Sequence, residues 1–275
     1  MKNLHKAYYK DYFKGIDFNY LLLEEEIKRE RNENRKRELR RKLERIEGDN
    51  EIKIKRKNSA LLGTGLLSLI NNPIASQEHR FSLKIAYPGL VTGIGIDHEA
   101  KIEGEFKLGV HFDYTWGMPV VYGSSVKGVL RAYFNEFCKG GNDISGAEYM
   151  FNDIFEGRDM AKEHQLNDGN KYYKSIYNRD IFFDAVITRT DSEGRILCSD
   201  SITPHGNNPL KNPVPLTFLK IASGCTMEFR FKLVDTVDEN GKVILSKDKK
   251  KTIFQEILQT VGVGAKTNVG YGQFQ

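Results

Sequence analysis

Residues 262–274 read Gly262-Val-Gly264-Ala-Lys266-Thr267-Asn268-Val-Gly270-Tyr271-Gly272-Gln-Phe274, with four glycines in thirteen positions. Glycine has no Cβ and adopts positive φ at little cost, so such a stretch lets backbone amides approach an anion closely. The preceding residues, 251–261, carry apolar side chains at the spacing of one helix face. The sequence therefore predicts a helix followed by an anion-binding loop, although a helix C-cap followed by a turn fits the same glycines.

This loop does not have the form of a nucleotide-hydrolysing P-loop. That motif needs a strand before the loop, a helix after it, and a lysine placed directly between glycine and Ser or Thr. Here a predicted helix comes before the loop, and Ala265 stands where a P-loop has the glycine before its lysine. The sequence therefore argues against a P-loop ATPase or GTPase.

A second glycine motif, Gly123-Ser124-Ser125-Val-Lys127-Gly-Val-Leu-Arg131, opens another predicted helix. Ser124 is a favourable N-cap residue. At about 100° per residue, Ser124, Lys127 and Arg131 lie on one flank of this helix, near the positive end of its dipole. Backbone amides, hydroxyls and two cations therefore predict an anion site. The alternative is a capped amphipathic helix whose cations are simply solvated.

The rest of the sequence supplies strands for an α+β domain. Alternating apolar and polar residues predict strands at 80–88, 180–188, 216–219 and 226–234. The order strand, helix, strand, then strand, helix, strand is that of a ferredoxin-like sheet with two helices on one face. We expect residues 190–212 to form a loop, and residues 140–178 to be an insertion because their polar, glycine-bearing sequence has only weak periodicity.

Residues 1–75 are predicted to form an N-terminal helical extension. Tyr8 with Tyr12, and Tyr9 with Phe13, have i, i+4 spacing, which predicts a short helix docked by its rings. Residues 24–57 are dense in charges of both signs and predict one long, largely solvated helix. Its arginine cluster at 35–42 could follow phosphates, but the interleaved glutamates make a solvated or subunit-facing surface an equal alternative.

Composition sets outer limits on function. The chain has 275 residues with 39% apolar content, enough for a real core, so global disorder is excluded. A formal net charge of +5 permits RNA binding without requiring it. The three cysteines form no C-x-x-C pair, so the sequence predicts no disulfide framework, metal site or cofactor. We find no apolar run of membrane-spanning length and no signal-peptide pattern, and therefore expect a cytoplasmic protein.

Taken together, the two glycine motifs resemble those of the RAMP superfamily, the repeat-associated RNA-binding subunits of type III CRISPR effector complexes. Three further segments, at 3–13, 200–206 and 213–218, resemble the sixth-subunit family of the type III-B (Cmr) complex. The resemblance covers most of the chain. One departure is Tyr122, because members of this family usually have proline before the Gly-Ser-Ser sequence.

The resemblance implies a ferredoxin-like (RRM-like) RAMP core at 76–275, with insertions at about 90–115, expected to be a thumb-like hairpin, and at 140–178. It implies a non-catalytic backbone subunit that binds guide (CRISPR) RNA near its 3′ end and the guide–target duplex in antiviral defence. The expected partners are guide RNA, target RNA and other Cmr RAMP subunits, including the end-capping and backbone subunits.

The same resemblance indicates which residues would contact RNA. Three cations, Lys127, Arg131 and Lys266, are expected to contact phosphates, and Tyr271 to stack on a base or ribose. The full set of candidate RNA-binding residues is Gly123, Ser124, Ser125, Lys127, Arg131, His205, Gly262, Gly264, Lys266, Thr267, Asn268, Gly270, Tyr271 and Gly272.

Two alternative functions fit parts of the sequence. Related RAMP subunits cut target RNA with an aspartate in the loop before the Gly-Ser-Ser helix, and Asp97, beside His98 and Glu99, is the nearest candidate here. The second alternative is a stand-alone single-strand RNA-binding module. Residues 270–274 partly match the aromatic RRM signature, but Gln273 occupies a position where that signature has a ring.

Overall fold

The computed structural model describes residues 3–65, 79–92, 100–107, 109–138, 144–203 and 216–275. The α-helices in these ranges are α1 (Leu4–Tyr9), α2 (Asn19–Arg29), α3 (Glu33–Leu62), α4 (Gly123–Cys138), α5 (Ile144–Phe151), α6 (Met160–Leu166) and α7 (Lys247–Val261). The strands are β1 (His79–Lys84), β2 (Val120–Val121), β3 (Ile181–Phe182), β4 (Ala185–Arg189), β5 (Leu197–Ile202), β6 (Leu216–Ile221), β7 (Thr226–Lys232), β8 (Thr236–Val237) and β9 (Val243–Leu245).

The main sheet is antiparallel, with the strand order β1–β7–β4–β2 and with β3 also pairing with β7. The C-terminal residues pair with the other edge of β1. Gln275 donates to the Lys84 carbonyl at 2.9 Å, and Ala86 donates to the Gln273 carbonyl at 2.9 Å. Helix α4 lies in sequence between β1 and β4, and α7 lies between β7 and this last segment. This is the ferredoxin-like arrangement, so the predicted α+β class is confirmed.

The two faces of the sheet differ because side chains alternate along each strand. On β7, Met227, Phe229 and Phe231 are buried, and Phe231 packs against Phe254 of α7 with ring centroids 5.4 Å apart. On the opposite face of β1, the side chains at 80, 82 and 84 are exposed. The hydrophobic core therefore lies between the sheet and helices α4 and α7.

The 140–178 region is largely helical where it is described. It contains α5, a single π-helical turn (Asn152–Glu156), α6 and a 3-10 turn (Ile176–Asn178). Phe155 of the π-helical turn is buried, and its ring lies 5.3 Å from that of Phe134 on α4 and 6.3 Å from that of Phe254 on α7. This region therefore adds to the main core as well as to the surface.

The N-terminal helices share the same hydrophobic core. Tyr8 and Tyr12 are 1% exposed, so the predicted docking by rings is confirmed, although the helix ends at Tyr9 and Tyr12 lies in the turn that follows. The Tyr8 hydroxyl donates to the Phe106 carbonyl at 3.0 Å, and the Phe106 amide donates to the Tyr12 hydroxyl at 2.9 Å. Phe106 and Phe112 are themselves buried. The predicted thumb is described at 90–92, 100–107 and 109–115, and through Phe106 and Phe112 it packs against the N-terminal segment, while residues 93–99 and 108 lie outside the described ranges.

The prediction of one long helix over residues 24–57 is wrong, because α2 ends at Arg29 and α3 begins at Glu33. The break has a local cause. The Glu30 carboxylate accepts the amides of Arg31 and Asn32, both at 2.8 Å, and the Asn32 side chain then caps α3 by accepting two amides of its first turn. Side-chain acceptors thus replace helical hydrogen bonds over these residues.

The predicted loop at 190–212 is also wrong in part. Residues 197–202 form β5, which pairs in register with β6 as a two-stranded antiparallel sheet. In the lysine-rich segment 247–251 at the start of α7, Lys250 is fully buried. Its Nζ lies 2.7 Å from both Asp180 Oδ2 and the Val234 carbonyl, so a buried ion pair ties α7 to the segment before β3.

Candidate nucleic-acid interface

The first candidate element is the start of α4, directly after edge strand β2. Gly123 is buried there, and its amide donates to Asp184 Oδ1 at 2.7 Å. A Cβ at this position would lie 2.2 Å from the Phe182 carbonyl oxygen. Only glycine allows the chain to pass this close to the segment between β3 and β4. Gly123 therefore sets the position from which α4 begins.

Ser124 does not cap α4, contrary to the prediction. The Val126 amide donates to the Tyr122 carbonyl, so Tyr122 holds the N-cap position and Ser124 lies in the first turn. Asp184 supplies the acceptor for the first helical amide instead. This arrangement leaves the Ser124 and Ser125 side chains exposed. Two hydroxyls are therefore free to face a ligand at the positive end of the helix.

Lys127 and Arg131 lie on the same flank of α4, as predicted, but in different surroundings. Lys127 is half-buried, with Nζ 5.8 Å from the Phe182 ring centroid, and lines a cleft of about 240 Å³ together with Ser124. Arg131 Nη2 lies 2.6 Å from Glu156 Oε1, and Glu156 lines the same cleft. Both members of this pair are well exposed, so an anion can compete for the guanidinium at small cost.

The second candidate element is the glycine loop after α7, in which three glycines contact the protein's own backbone. Gly262 forms the C-cap of α7. A Cβ on Gly264 would lie 2.4 Å from the Val91 carbonyl oxygen, and a Cβ on Gly272 would lie 1.9 Å from that of Val263. All three have positive φ. We expected these glycines to admit a ligand, but the close approach that requires them is made by the protein itself.

The tip of this loop presents the groups that suit an anion. Lys266 adopts the left-handed region with φ 60° and precedes a 3-10 turn at Thr267–Val269. Within the described part of the chain, the amides of Lys266, Thr267 and Asn268 find no hydrogen-bond acceptor. Consecutive amides after a left-handed residue form a concave, electropositive backbone surface. The predicted anion loop is thus confined to residues 266–268, with Gly270 closing the turn.

Tyr271 is largely buried, which leaves little of its ring exposed for the predicted stacking on RNA. Its ring packs edge-on against Phe218 with centroids 5.9 Å apart, and its hydroxyl donates to Asp200 Oδ2 at 2.8 Å. Lys220 Nζ contacts the same carboxylate oxygen at 2.6 Å. Burial and then the bond to Asp200 raise the pKa of Tyr271 to about 12. Burial opposes ionisation of Asp200, but the bonds from Lys220 and Tyr271 lower its pKa.

The two elements lie at opposite edges of the sheet. Helix α4 starts beside β2 at one edge, and the chain after the glycine loop pairs with β1 at the other. Four strand spacings of about 4.8 Å separate these edges, which is roughly 19 Å. The motifs therefore cannot form one pocket. They form two separate surfaces.

Other predicted site residues cannot be placed. Asp97 and His205 lie outside the described residues. Sequence reasoning in turn missed Asp184, Glu156 and Asp200, which hold Gly123, Arg131 and Tyr271. Nothing in their spacing marks them, because each is distant in sequence from the residue it contacts.

In the described ranges, no three His, Cys, Asp or Glu residues are grouped to hold a metal ion, and no helix is long and apolar enough to span a membrane.

Comparison with known proteins gives a family. A family model described as the RAMP superfamily matches residues 53–275. The fold is shared with a chain of a type III-B Cmr-beta complex bound to cognate target RNA, solved by cryo-EM, with a TM-score of 0.52 and 20% identity over 90% of this chain and 75% of that one. No curated protein matches the chain.

Two further solved structures match at lower similarity. Cmr6 from Pyrococcus furiosus gives a TM-score of 0.32 and 19% identity over 73% of this chain and 98% of that one. A chain of the type III-B Cmr-beta complex in the apo state gives a TM-score of 0.43 and 13% identity over 74% of this chain and 97% of that one.

Proposed function

This chain belongs to the RAMP superfamily, and on that premise we propose that it is a non-catalytic RNA-binding subunit of a type III-B CRISPR effector complex. Its partners would be guide RNA, target RNA and other Cmr subunits. The proposed assignment to the sixth subunit, near the 3′ end of the guide, rests on the sequence motifs rather than on structural similarity. The likeness to a Cmr-beta chain solved with cognate target RNA supports RNA as the ligand.

The observation that carries the proposal is the pair of anion-competent surfaces at opposite edges of the sheet. One consists of Ser124, Ser125 and Lys127 at the start of α4, and the other of Lys266 with the amides of 266–268. Together they offer hydroxyls, amides and cations, which contact phosphates without reading bases. A subunit that serves guides of many sequences needs this sequence-independent recognition.

The surroundings of these residues support a scaffold rather than a nuclease. The carboxylates at the start of α4 are already engaged, Asp184 by the Gly123 amide and Glu156 by Arg131. Asp200, beneath the glycine loop, accepts from Lys220 and Tyr271. A general base must be able to reach the proton that it abstracts. We therefore propose that these acids pair with neighbouring groups and do not act as a general base.

Binding by the assembled complex tests the proposal. Lys127→Ala with Lys266→Ala should weaken guide RNA binding for unrelated guide sequences. It should make the negative slope of log K against log salt shallower by about 1.4, the amount expected for the loss of two single-strand phosphate contacts. Lys171→Ala with Lys242→Ala, which removes two exposed lysines elsewhere, is the matched control. A loss confined to one guide sequence, or an equal loss in the control, would count against the proposal.

Measuring cleavage of target RNA distinguishes the proposed non-catalytic subunit from the alternative ribonuclease. Removing a general acid or base typically slows a reaction by about 10²-fold or more, whereas removing a positioning residue changes occupancy. Asp97→Ala in the reconstituted complex should therefore leave the number and rate of target cuts unchanged. Disappearance of one cut from an intact complex would establish the nuclease instead.

A further inference from the structure

Helix α3 carries a row of arginines in a part of the chain that precedes the family match. The match begins at residue 53, whereas Arg37, Arg41 and Arg45 lie in the first half of α3. All three are exposed. With a rise of 1.5 Å per residue, successive members stand about 6 Å apart and the outer two about 12 Å apart. We call this row the arginine ladder.

The ladder faces away from the core. At about 100° per residue, its direction is opposite to that of Leu39 and Ile54, which are 3% and 0% exposed. The side chains of the ladder therefore hold no buried contact that the fold needs. Their removal should leave the helix and its packing intact.

Three of the acidic residues that alternate with the arginines in sequence line a cleft that none of the three arginines lines. Glu44, Glu47 and Glu51 all line a different surface, a cleft of about 380 Å³ shared with Lys101 and Glu103. The outward half of α3 also holds Glu38 and Asp49, but Glu38 is bound to Arg35 at 2.8 Å. Asp49 is four residues after Arg45 on the same face, and it forms no ion pair with Arg45 within 4.0 Å.

The ion pairs of this helix involve residues other than the three arginines of the ladder. Arg35 contacts both Glu26 and Glu38, and Lys55 contacts Glu51. In the described part of the chain, no carboxylate lies within 4.0 Å of any ladder guanidinium. Three guanidinium groups at regular spacing are therefore open to an external anion.

We propose that the arginine ladder is a further RNA-binding surface that contacts phosphates along an RNA backbone. This inference rests on the proposed function. Guanidinium groups bind phosphate oxygens bidentately, and a regular row suits a ligand with repeating charge. Over residues 33–49 the outward face of α3 carries no apolar side chain, and Ile52, seven residues after Arg45, is the one exposed large apolar residue farther along that face of the helix. The centre of a protein–protein interface is enriched in aromatic and apolar groups. The observations therefore favour RNA over an acidic protein surface.

The test compares two triple variants of the full chain in the assembled complex. Arg37→Gln, Arg41→Gln and Arg45→Gln remove the ladder. Lys171→Gln, Lys242→Gln and Lys247→Gln remove the same charge from exposed positions elsewhere. The probe is fluorescein-labelled RNA of two unrelated sequences, measured by anisotropy across a salt series, both single-stranded and as a duplex with its complement. Circular dichroism and sizing against partner subunits accompany each variant.

The ladder variant should bind RNA at least about tenfold more weakly than the control. Its negative salt slope should be shallower by about 2, as expected for the loss of three single-strand phosphate contacts. A variant with three Arg→Lys changes should recover most of the loss, because it keeps the charge. Equal binding by the ladder and control variants would overturn the proposal, and loss of partner subunits with normal RNA binding would make the ladder a protein interface. If the triple variant loses helix content, the single variant Arg41→Gln tests the proposal instead. Its salt slope should change by about one third of the amount expected for the triple variant.

Failure of the ladder inference can be distinguished from failure of the proposed RNA-binding function. If Lys127→Ala with Lys266→Ala abolishes binding while the ladder variant binds normally, only the ladder inference fails. If none of the variants changes RNA binding, the proposed function fails with it.

Discussion

The two glycine motifs look alike in sequence but do different work in the structure. At the start of α4, only Gly123 is required by close packing, and Ser124, Ser125 and Lys127 remain accessible. In the C-terminal loop, by contrast, Gly262, Gly264 and Gly272 each approach the protein's own backbone. Tyr271 is buried beneath that loop. The glycines of the C-terminal motif thus mainly allow close backbone packing, and the backbone amides of the predicted anion site lie at the tip of this loop.

This difference shows what a glycine pattern can and cannot tell. It reliably indicates that something must approach the backbone closely. It does not tell whether the approaching group belongs to a ligand or to the same chain. The structure decides, because a hypothetical Cβ at Gly272 overlaps the Val263 carbonyl, whereas one at Gly128 of the first motif meets nothing within 4 Å.

The largest expected effect follows from this contrast. Gly272→Ala places a Cβ on the Val263 carbonyl and forces alanine to φ 69°, so the free energy of unfolding should fall by more than about 3 kcal/mol. Gly128→Ala, in an open helical position, should raise it by about 0.5–1 kcal/mol. Urea denaturation followed by circular dichroism measures both. If Gly272→Ala folds normally and only RNA binding is lost, the loop is a ligand site after all.

A smaller loss is expected for Asp200→Asn, which removes the shared carboxylate. Lys220 is largely buried and would lose its charged partner, so stability at neutral pH should fall by about 2–3 kcal/mol. Because the pKa of Asp200 is lowered in the folded protein, its contribution is present above the ordinary Asp pKa of about 4 and is lost as the pH falls further. Denaturation at several pH values should show the two proteins converging in acid. A constant difference would contradict the ion pair.

Tyr271→Phe should cost about 1 kcal/mol, because it removes one hydrogen bond to Asp200 and keeps the ring packed against Phe218. Guide RNA binding by the folded variant should not change. The measurement is thermal denaturation together with anisotropy on labelled RNA. Normal stability with weakened RNA binding would return Tyr271 to the RNA-contacting surface and weaken the contrast between the motifs.

The smallest effect is expected at the other motif. Glu156→Gln removes the carboxylate that competes for Arg131 and should tighten RNA binding about two- to fivefold, within the range of an exposed ion pair. The control is Glu193→Gln, whose carboxylate pairs with Arg195 elsewhere on the surface. Anisotropy at low salt is the most sensitive measurement. If Glu156→Gln binds RNA no better than the control, Arg131 does not contact phosphate.

Periodicity was sufficient to predict the elements that carry the core. Helices α4 and α7 and strands β1 and β7 follow from apolar spacing, because their buried faces are continuous in sequence. The break between α2 and α3 was missed because Glu30 and Asn32 stop the helix through side-chain hydrogen bonds, without glycine or proline. Strand β5 was missed because its pairing with β6 is specified by the partner strand.

The site was predictable only where function depends on local sequence. Lys127 and Lys266 stand within their motifs and lie near the open groups that the motifs suggested. Burial of Tyr271 was not predictable, because Asp200 and Phe218, which hold it, are more than 50 residues away in sequence. The burial of Lys250 depends in the same way on Asp180. Long-range partners, rather than residue type, decide which polar groups remain free.

The most direct test of the central claim is photo-crosslinking of the assembled complex to guide RNA that carries 4-thiouridine at single positions. If the start of α4 and the tip of the glycine loop are two separate phosphate contacts, crosslinked peptides should contain residues near Lys127 and near Lys266. The two elements are separated by at least roughly 19 Å across the sheet, so the crosslinks should come from different guide positions. Guides of unrelated sequence should give the same pattern. Crosslinks to neither element, or to a position that moves with guide sequence, would contradict the account.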